Sequence, residues 1–268
     1  MIKNRAKAEI LDDLRQRIAH LEWLEQNPKG WPAPLAFDIA AIDQCLPWGG
    51  LAPAALHEII PAGPGMMMAA LGFASACLGL AARRAPILWC RSSENRCENL
   101  YAPGLEKFGL CPNNLIIVNA GGERELLWAM EEALHNGALA AVLGEVQTLT
   151  AVSSRRLQLA AERGATMAFL LRNRFDANIV TSAMTRWQIN AAVSNHPLGP
   201  WPGATRWAVI LERCRGGVSG NWILEWKDAN IKDPGPGIEA GSFRLVTTLR
   251  DGSIYPAASA ADSFFGSE

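Results

Sequence analysis

Residues 56–82 most constrain the fold, because an apolar run, a loop and a long apolar segment follow one another there without a gap. Leu56–Ile60 is a short apolar run, typical of a buried strand. Pro61–Gly65 contains two prolines and two glycines and predicts a loop. Met66–Ala82 has the length and composition of a buried helix. A strand, a Gly/Pro loop and a helix N-terminus in this order form the frame of a phosphate-binding loop.

The residues that hold phosphate in such a loop are missing. A working loop needs glycines whose amides wrap the anion, a lysine for the outer phosphates and a Ser/Thr hydroxyl on Mg²⁺. Pro61 and Met66 stand at the two glycine positions, Met67 replaces the lysine and Met68 the hydroxyl. Proline lacks an amide donor and thioethers carry no charge, so we expect no ATP or Mg²⁺ cofactor and no catalytic residues. The degenerate nucleotide loop comprises Pro61, Gly63, Gly65, Met66, Met67 and Met68.

Length and composition place the chain among ordinary globular proteins. With 268 residues it can form one large α/β domain with additions, or two small domains. Its 49% hydrophobic and 19% charged residues exclude a disordered chain. The formal net charge of −1 gives no overall attraction to nucleic acid, although it is compatible with a local basic patch.

The six cysteines are scattered, without a CxxC pair, and several lie in apolar runs. This pattern favours buried reduced thiols over a disulfide framework or a zinc site, as in a cytosolic protein. No uninterrupted apolar run reaches the ~20 residues that a membrane span needs. We therefore expect a cytoplasmic protein without a metal and without a membrane partner.

The first 30 residues are predicted to form a helical arm, residues 31–255 the main domain, and residues 256–268 a disordered tail. Apolar side chains recur in the arm at helical spacing, at Ile10, Leu11, Leu14, Ile18, Leu21 and Leu24. A Pro/Gly/Trp segment at 27–32 then ends the helix. Two interpretations stay open for the arm. It packs on its own domain, which is the commoner arrangement, or it docks on another subunit and mediates self-association.

Strands and helices alternate along the middle of the chain, which is typical of a parallel sheet with helices on both faces. The predicted strands after Leu56–Ile60 are Ala85–Cys90, Asn114–Asn119, Ala138–Leu143 and Thr166–Arg172. The predicted helices are Met66–Ala82, Asn99–Leu110, Glu123–Asn136 and Ala151–Arg163. Later strands joined by Gly-rich turns are predicted at Arg186–Val193, Trp207–Arg213, Asn221–Lys227 and Phe243–Leu249. We expect this late part to be antiparallel and to extend the same sheet.

The order of these elements and the residues at their ends resemble the RecA family. Gly49–Leu51 followed by Leu56–Ile59 is similar to the RecA segment that enters the phosphate loop. Glu94 stands where that family has its water-activating glutamate, whereas Gly144, within Ala140–Glu145, replaces the magnesium-side aspartate. The resemblance implies an α/β fold: a RecA-like three-layer αβα core with a mainly parallel sheet, an N-terminal helix and a β-rich C-terminal part.

Five segments carry a closer resemblance, namely Gly50-Leu51, His57-Glu58, Leu170–Arg172, Ala183–Trp187 and Leu211–Gly217. They resemble the ImuA family, the RecA-like, SulA-like proteins of bacterial damage-induced mutagenesis cassettes. That resemblance implies assembly with ImuB, an inactive relative of Y-family polymerases. It also implies work with an error-prone C-family DNA polymerase, directly or through ImuB, and association with the nucleoid during DNA damage.

The candidate contacts for DNA or a partner are Arg172, Arg174, Arg186, Trp187, Arg213 and Arg215. In RecA relatives, the first four positions lie in segments that face DNA, and the last two resemble residues that reach a neighbouring subunit's nucleotide. Basic residues beside an aromatic side chain can grip single-stranded DNA by phosphate contacts and base stacking. A solvated loop with Trp187 packed beneath it is the equally weighted alternative.

The ten tryptophans allow two interpretations. Trp is enriched at interface hot spots, which adds weight to partner binding, but large aromatic side chains also cap open sheets. His57 and Glu58 are adjacent on a strand and point to opposite faces, so they do not form an acid–base pair.

These residues and the resemblance together predict a non-catalytic accessory or scaffold protein of SOS-induced translesion DNA synthesis. It binds ImuB, with single-stranded DNA as a further candidate ligand, and so recruits or stabilises the error-prone polymerase. Two alternatives remain open: an ATP-binding or ATP-hydrolysing recombinase-like ATPase, and a SulA-type inhibitor of cell division. Weak nucleotide binding without hydrolysis also stays open.

Overall fold

The structure is a computed structural model, and it describes residues 31–93, 100–172, 181–194, 203–228 and 240–249. The predicted N-terminal arm, the predicted tail, Glu94 and Arg174 lie outside these ranges. Within them, one nine-stranded sheet has the strand order β3-β2-β4-β5-β1-β6-β7-β8-β9. No helix in the described ranges is long and apolar enough to cross a bilayer.

The strands are β1 Leu56–Pro61, β2 Ile87–Ser92, β3 Leu115–Ala120, β4 Ala141–Val146, β5 Met167–Arg172, β6 Thr185–Ala191, β7 Arg206–Cys214, β8 Gly220–Lys227 and β9 Ser242–Thr248. The helices of the described residues are α1 Ala40–Asp43, α2 Met67–Ala82, α3 Ala102–Glu106, α4 Glu123–His135 and α5 Ala151–Gly164. Strands β1 to β6 pair in parallel, and β6 to β9 pair antiparallel. The predicted mainly parallel α/β sheet with an antiparallel C-terminal extension is therefore confirmed.

Helices cover the two faces of the parallel part differently. On one face, which we call the α2 face, helix α2 packs against Ile59, Phe169 and Trp187. On the opposite face, the α5 face, helices α4 and α5 pack on residues such as Leu56 and Leu170. Successive residues of a strand point to opposite faces, so each strand contributes to both cores. This explains why the central strands β1, β4 and β5 are buried along their whole length.

Most of the buried tryptophans lie in one aromatic cluster on the α2 face. Its members are Phe37, Phe73, Trp187, Trp207, Trp222, Trp226 and Phe243. The rings of Trp226 and Phe243 meet edge to face with centroids 4.9 Å apart. The Trp226 indole also donates a 2.8 Å hydrogen bond to the carbonyl of Lys107. These tryptophans pack against the sheet on the α2 face. This agrees with the interpretation that large aromatic side chains cap the sheet.

Two predicted elements have different bounds in the structure. The helix predicted over Asn99–Leu110 is only Ala102–Glu106 among the described residues, because Gly109 adopts a left-handed φ of 81° that breaks it. The strand predicted at Ala138–Leu143 is Ala141–Val146, since Gly137 has a φ of 69° and the chain is still turning there. This shift matters for the site, because it places Gly144 and Glu145 inside β4.

Candidate functional site

The loop between β1 and α2 keeps the strand–loop–helix frame, but its amides bond within the protein. The amide of Ala62 donates to the carbonyl of Ile189 at 2.8 Å, and the amide of Met66 donates to that of Gly63 at 3.2 Å. Pro61 has no amide to offer. The amides of Ala62 and Met66 are therefore engaged within the protein and are not available to an anion.

The methionines of the loop lie where a phosphate-binding loop carries its lysine and hydroxyl. Met66 precedes the first helical residue, Met67 packs against the core of the α2 face, and Met68 is 63% exposed. Gly65 has a left-handed φ of 79°, and the turn of the loop requires this conformation. The helix N-terminus is thus bordered by apolar thioethers and offers no cationic side chain of its own.

Gly144 stands where the resemblance to RecA leads us to expect an aspartate, and its packing leaves no room for a side chain. A Cβ at Gly144 would lie 2.2 Å from Met130 Sδ and 3.3 Å from Leu126 Cδ2. Both partners belong to α4 and are fully buried. Gly144 therefore serves the close approach of α4 to β4, and an acidic side chain at this position would collide with that helix.

The neighbouring acid, Glu145, lies on the α2 face, and protein groups already contact one of its carboxylate oxygens. Trp89 Nε1 donates a 2.7 Å hydrogen bond to Glu145 Oε1, and Arg91 Nε lies 3.1 Å from the same oxygen. The guanidinium supplies the positive charge that a cation would otherwise bring. Among the described residues, no group of three His, Cys, Asp or Glu side chains is placed to hold a metal ion. These residues do not fit a Mg²⁺–ATP site.

On the α5 face, a buried ionic group forms around Glu58. Arg186 Nε lies 2.7 Å from Glu58 Oε2, and Arg172 Nη1 lies 3.5 Å from Oε1. The Thr181 hydroxyl also donates to Oε2, at 3.1 Å. We call Glu58, Arg172, Arg186 and Thr181 the Glu58 cluster. It joins β1, β5 and β6, and all four residues are buried.

Two further arginines extend this group toward the surface. Arg213 Nη1 donates to the carbonyl of Thr181 at 3.1 Å, and the amide of Arg215 donates to the carbonyl of Met184 at 2.9 Å. Partial burial, and after it the positive charges of Arg213 and Arg155, lowers the pKa of Arg215 from its ordinary value. Arg155, Arg213 and Arg215 therefore lie close enough to repel one another, with Glu162 near Arg215 as a partial counter-charge, and the remaining positive charge attracts anions.

This basic surface and the degenerate loop lie at opposite ends of the strands. Arg213 pairs with Arg186 and Cys214 with Thr185, which in turn pairs with His57 at the start of β1. The loop leaves β1 at Pro61, about 13 Å further along the strand at ~3.3 Å per residue. The structure therefore does not bring the predicted loop residues and Arg213 together in one copy of the chain.

His57 belongs to a closed polar network on the α2 face. Its Nε2 lies 2.9 Å from the carbonyl of Ala52 and its Nδ1 lies 2.8 Å from the Thr185 hydroxyl. The Trp187 indole donates to the same hydroxyl at 2.8 Å. The carbonyl requires Nε2 to be the protonated nitrogen, so Nδ1 accepts. Burial lowers the pKa of His57 to about 4, and the imidazole is neutral at physiological pH.

Known proteins of similar sequence identify the family of the chain, although no family model matches it. Two curated relatives, both called Protein ImuA, come from two strains of Caulobacter vibrioides. Each is 35% identical over 257 residues, which cover 88% of this chain and 97% of the relative. The chain belongs to the ImuA family. Among solved structures, SulA from Pseudomonas aeruginosa is similar with a TM-score of 0.37 and 20% identity, over 45% of this chain and 98% of that one.

The residues that were predicted to contact DNA or a partner in this ImuA-family chain differ in their exposure. Trp187 is 1% exposed and packs in the aromatic cluster, so the prediction that it stacks on DNA bases is corrected. Arg172 and Arg186 are buried by their ion pairs with Glu58 and do not present a surface for DNA or a partner, which corrects their assignment as well. Arg213 is partly exposed and Arg215 exposed, so both stay candidates.

Sequence reasoning missed two of the charged groups described above. The sequence does not reveal the ion-pair partners of Glu58, although His57 and Glu58 do point to opposite faces of the sheet as predicted. Its arginine partners lie 114 and 128 residues away in the chain, where no local pattern signals them. Glu145 had a usable signal, since an acid stands directly beside Gly144. Its pairing with Arg91 depends on the order of β2 and β4 in the sheet, which the sequence does not display.

Proposed function

We propose that the chain is a non-catalytic accessory protein of damage-induced mutagenesis, in which a RecA-like nucleotide-binding frame serves as a scaffold. Membership of the ImuA family supports the cellular role. The Arg91–Glu145 ion pair is the single observation that most supports the lack of catalysis, because the guanidinium already balances the charge of the acid at the end of β4. The methionines at the start of α2 and the collision at Gly144 support it independently.

The proposed lack of ATP turnover is tested with the purified chain. Phosphate release is measured with ATP and Mg²⁺, with and without single-stranded DNA, beside an active RecA-type ATPase as positive control. Binding of a fluorescent ATP analogue is measured in parallel. We expect neither turnover nor saturable binding. ATP turnover that is stimulated by DNA and co-purifies with the protein through two steps would show a working ATPase. That result would refute the proposal.

The scaffold role predicts a direct complex with ImuB, through which an error-prone C-family polymerase is recruited. The test is co-purification of separately produced ImuB with this chain, followed by addition of the polymerase. We expect a stable binary complex and a ternary complex that depends on ImuB or is strengthened by it. Absence of any association at micromolar concentration would remove the partner assignment while leaving the lack of catalysis untouched.

Binding of single-stranded DNA is the second proposed interaction, and it rests on Arg213 and Arg215. These side chains lie beside Arg155 on the α5 face and are at least partly exposed. We expect Arg213→Ala/Arg215→Ala to weaken binding and to reduce the slope of log affinity against log salt by about 0.7 for each phosphate that is no longer neutralised. Arg156→Ala is the matched control, because Arg156 is exposed but paired with Glu131. Equal effects of both variants would leave only non-specific attraction.

A further inference from the structure

Strand β3 forms one edge of the sheet, and its apolar side chains are exposed. Ile116 is 48% and Ile117 46% exposed. Edge strands in soluble proteins are normally protected by charged residues, proline or bulges, because their unpaired backbone groups attract other strands. The sequence of β3, Leu115 to Ala120, contains no charged residue and no proline. Among the described residues, β3 itself therefore has neither charge, proline nor bulge to protect it.

Helix α4 contacts β3 on the α5 face, but one apolar side chain on each face of this edge stays about half exposed. In the register between β2 and β3, Ile117 lies beside Trp89 and Ile116 beside Leu88. Trp89 points to the α2 face and Leu88 to the α5 face. Ile117 and Ile116 therefore extend the two cores to the last strand, where nothing in the described part of the chain completes their burial. A strand added beside β3 would cover both side chains at once.

The other edge strand, β9, has a different character. It exposes Arg244, at 51%, and Val246, at 39%, together with Thr247 and Thr248. Arg244 Nη2 is held 2.9 Å from Glu225 Oε1, so a charged group lies on that edge. Charged and polar side chains protect an edge from strand addition. Strand β9 carries a charged side chain and β3 does not, so β3 is the edge that is better suited to pairing with another strand.

We propose that β3 pairs antiparallel with β3 of a second copy of this chain, so that one sheet runs through a closed two-fold dimer. In an antiparallel pair within one sheet, directly opposite residues share a face, which allows pairing centred on Ile117. Ile117 then faces Ile117 of the second copy, and Ile116 faces Val118 of the second copy. Every central pair is apolar.

A second copy fits this edge better than a strand of different chemistry for two reasons. The strand is its own complement, since the same Leu-Ile-Ile-Val run supplies apolar side chains on both faces in both directions. It is also uncharged, so self-pairing brings no like charges opposite each other. Pairing of β3 with β9 of another copy would instead be head-to-tail and produce closed rings or open filaments. This surface is separate from the degenerate loop and from Arg213, so the inference does not depend on the proposed function.

Sedimentation equilibrium of the full chain over a wide concentration range tests the proposal, with three variants. The proposal expects a monomer–dimer equilibrium that Ile117→Lys shifts to monomer, because two lysines would face each other at the two-fold axis. Ile116→Lys should weaken the dimer at least about tenfold, the factor that a loss of ~1.4 kcal/mol produces. Val152→Lys is the control and should leave the dimer unchanged, since Val152 is 70% exposed on α5, away from this edge.

Hydrogen exchange provides a readout that needs no variant. Amides of residues 115–120 that point outward should exchange more slowly as the wild-type protein is concentrated, while those of β9 should not change. A wild-type chain that stays monomeric would overturn the proposal, as would a dimer that survives Ile117→Lys with unchanged exchange at β3. Rings larger than a dimer, or filaments, would also overturn it, because they require head-to-tail contacts.

Discussion

Arg186 Nε lies 2.7 Å from Glu58 Oε2, and this ion pair is buried between neighbouring strands β6 and β1. Arg172 approaches the other oxygen of the same carboxylate. One buried negative charge therefore serves two buried positive charges, with the Thr181 hydroxyl as an additional donor. Removing one partner from such a group leaves uncompensated charge in a medium of low dielectric constant, which costs more than the group contributes when complete.

We expect Glu58→Gln to lower the free energy of unfolding by about 3–5 kcal/mol, because two guanidinium groups would lose their carboxylate in the interior. Urea unfolding monitored by tryptophan fluorescence measures the loss. Glu131→Gln is the control, since its partner Arg156 is 61% exposed, and such a pair contributes only ~0–1 kcal/mol. Similar losses in the two variants would show that the Glu58 cluster is not energetically distinct from a surface ion pair.

The buried His57 predicts a dependence of stability on pH. Its pKa falls from an ordinary value of 6.5 to about 4 in the folded chain, chiefly because burial disfavours the imidazolium. The unfolded chain therefore binds more protons between pH 6.5 and 4, and stability is lost as the pH falls through that range. The loss from this group is roughly 3 kcal/mol at 1.36 kcal/mol per pKa unit.

The contribution of His57 is isolated by comparing urea unfolding of the wild type and His57→Gln at a series of pH values. The variant has no imidazole to protonate, so its stability should fall less steeply between pH 6.5 and 4. The carboxylates that also titrate in this range cancel in the comparison. Parallel pH profiles for the two proteins would contradict a buried neutral His57.

The sequence predicted the elements of the fold well where the signal is local. Leu56–Ile60 is uniformly apolar and Pro61 cannot continue a helix, so the strand, the loop and α2 were placed to within a residue. The start of β4 was misplaced because apolar Ala138–Ala140 resemble strand residues, whereas Gly137 turns the chain just before them. Local composition does not reveal such a turn.

For the candidate site, the sequence shows which residues of a phosphate-binding loop are replaced. The absent lysine and hydroxyl are visible in the sequence at Met67 and Met68, and so is Gly144. The burial of Arg172 and Arg186 was missed, since it requires the carboxylate of a strand more than a hundred residues away. The order of strands in the sheet depends on the whole chain. The spacing of residues along the sequence therefore does not show which side chains meet across β1, β5 and β6.

The cysteines should react with thiol reagents according to their burial. Cys111 is exposed, whereas Cys77 and Cys90 are buried, and burial raises the pKa of Cys90 to about 12. Because the thiolate is the reactive form, Cys90 and Cys77 should resist maleimide in the folded protein. Mass spectrometry of briefly labelled samples measures this. Cys111→Ser should remove one rapidly labelled site and Cys90→Ser none, and rapid labelling of Cys90 would show that the interior of β2 opens readily.

The close packing of Gly144 against α4 can be tested by substitution. A methyl group there would lie 2.2 Å from Met130 Sδ in a fully buried contact, so Gly144→Ala should cost about 1–3 kcal/mol of unfolding free energy through overpacking. Met130→Ala alone should cost ~2–5 kcal/mol by leaving a cavity. In the double variant the new methyl occupies part of that cavity, so the combined loss should fall short of the sum by at least ~0.5 kcal/mol. Urea unfolding of the four proteins measures this coupling. Simple additivity would mean that α4 moves aside without cost, in which case steric exclusion would not explain the glycine.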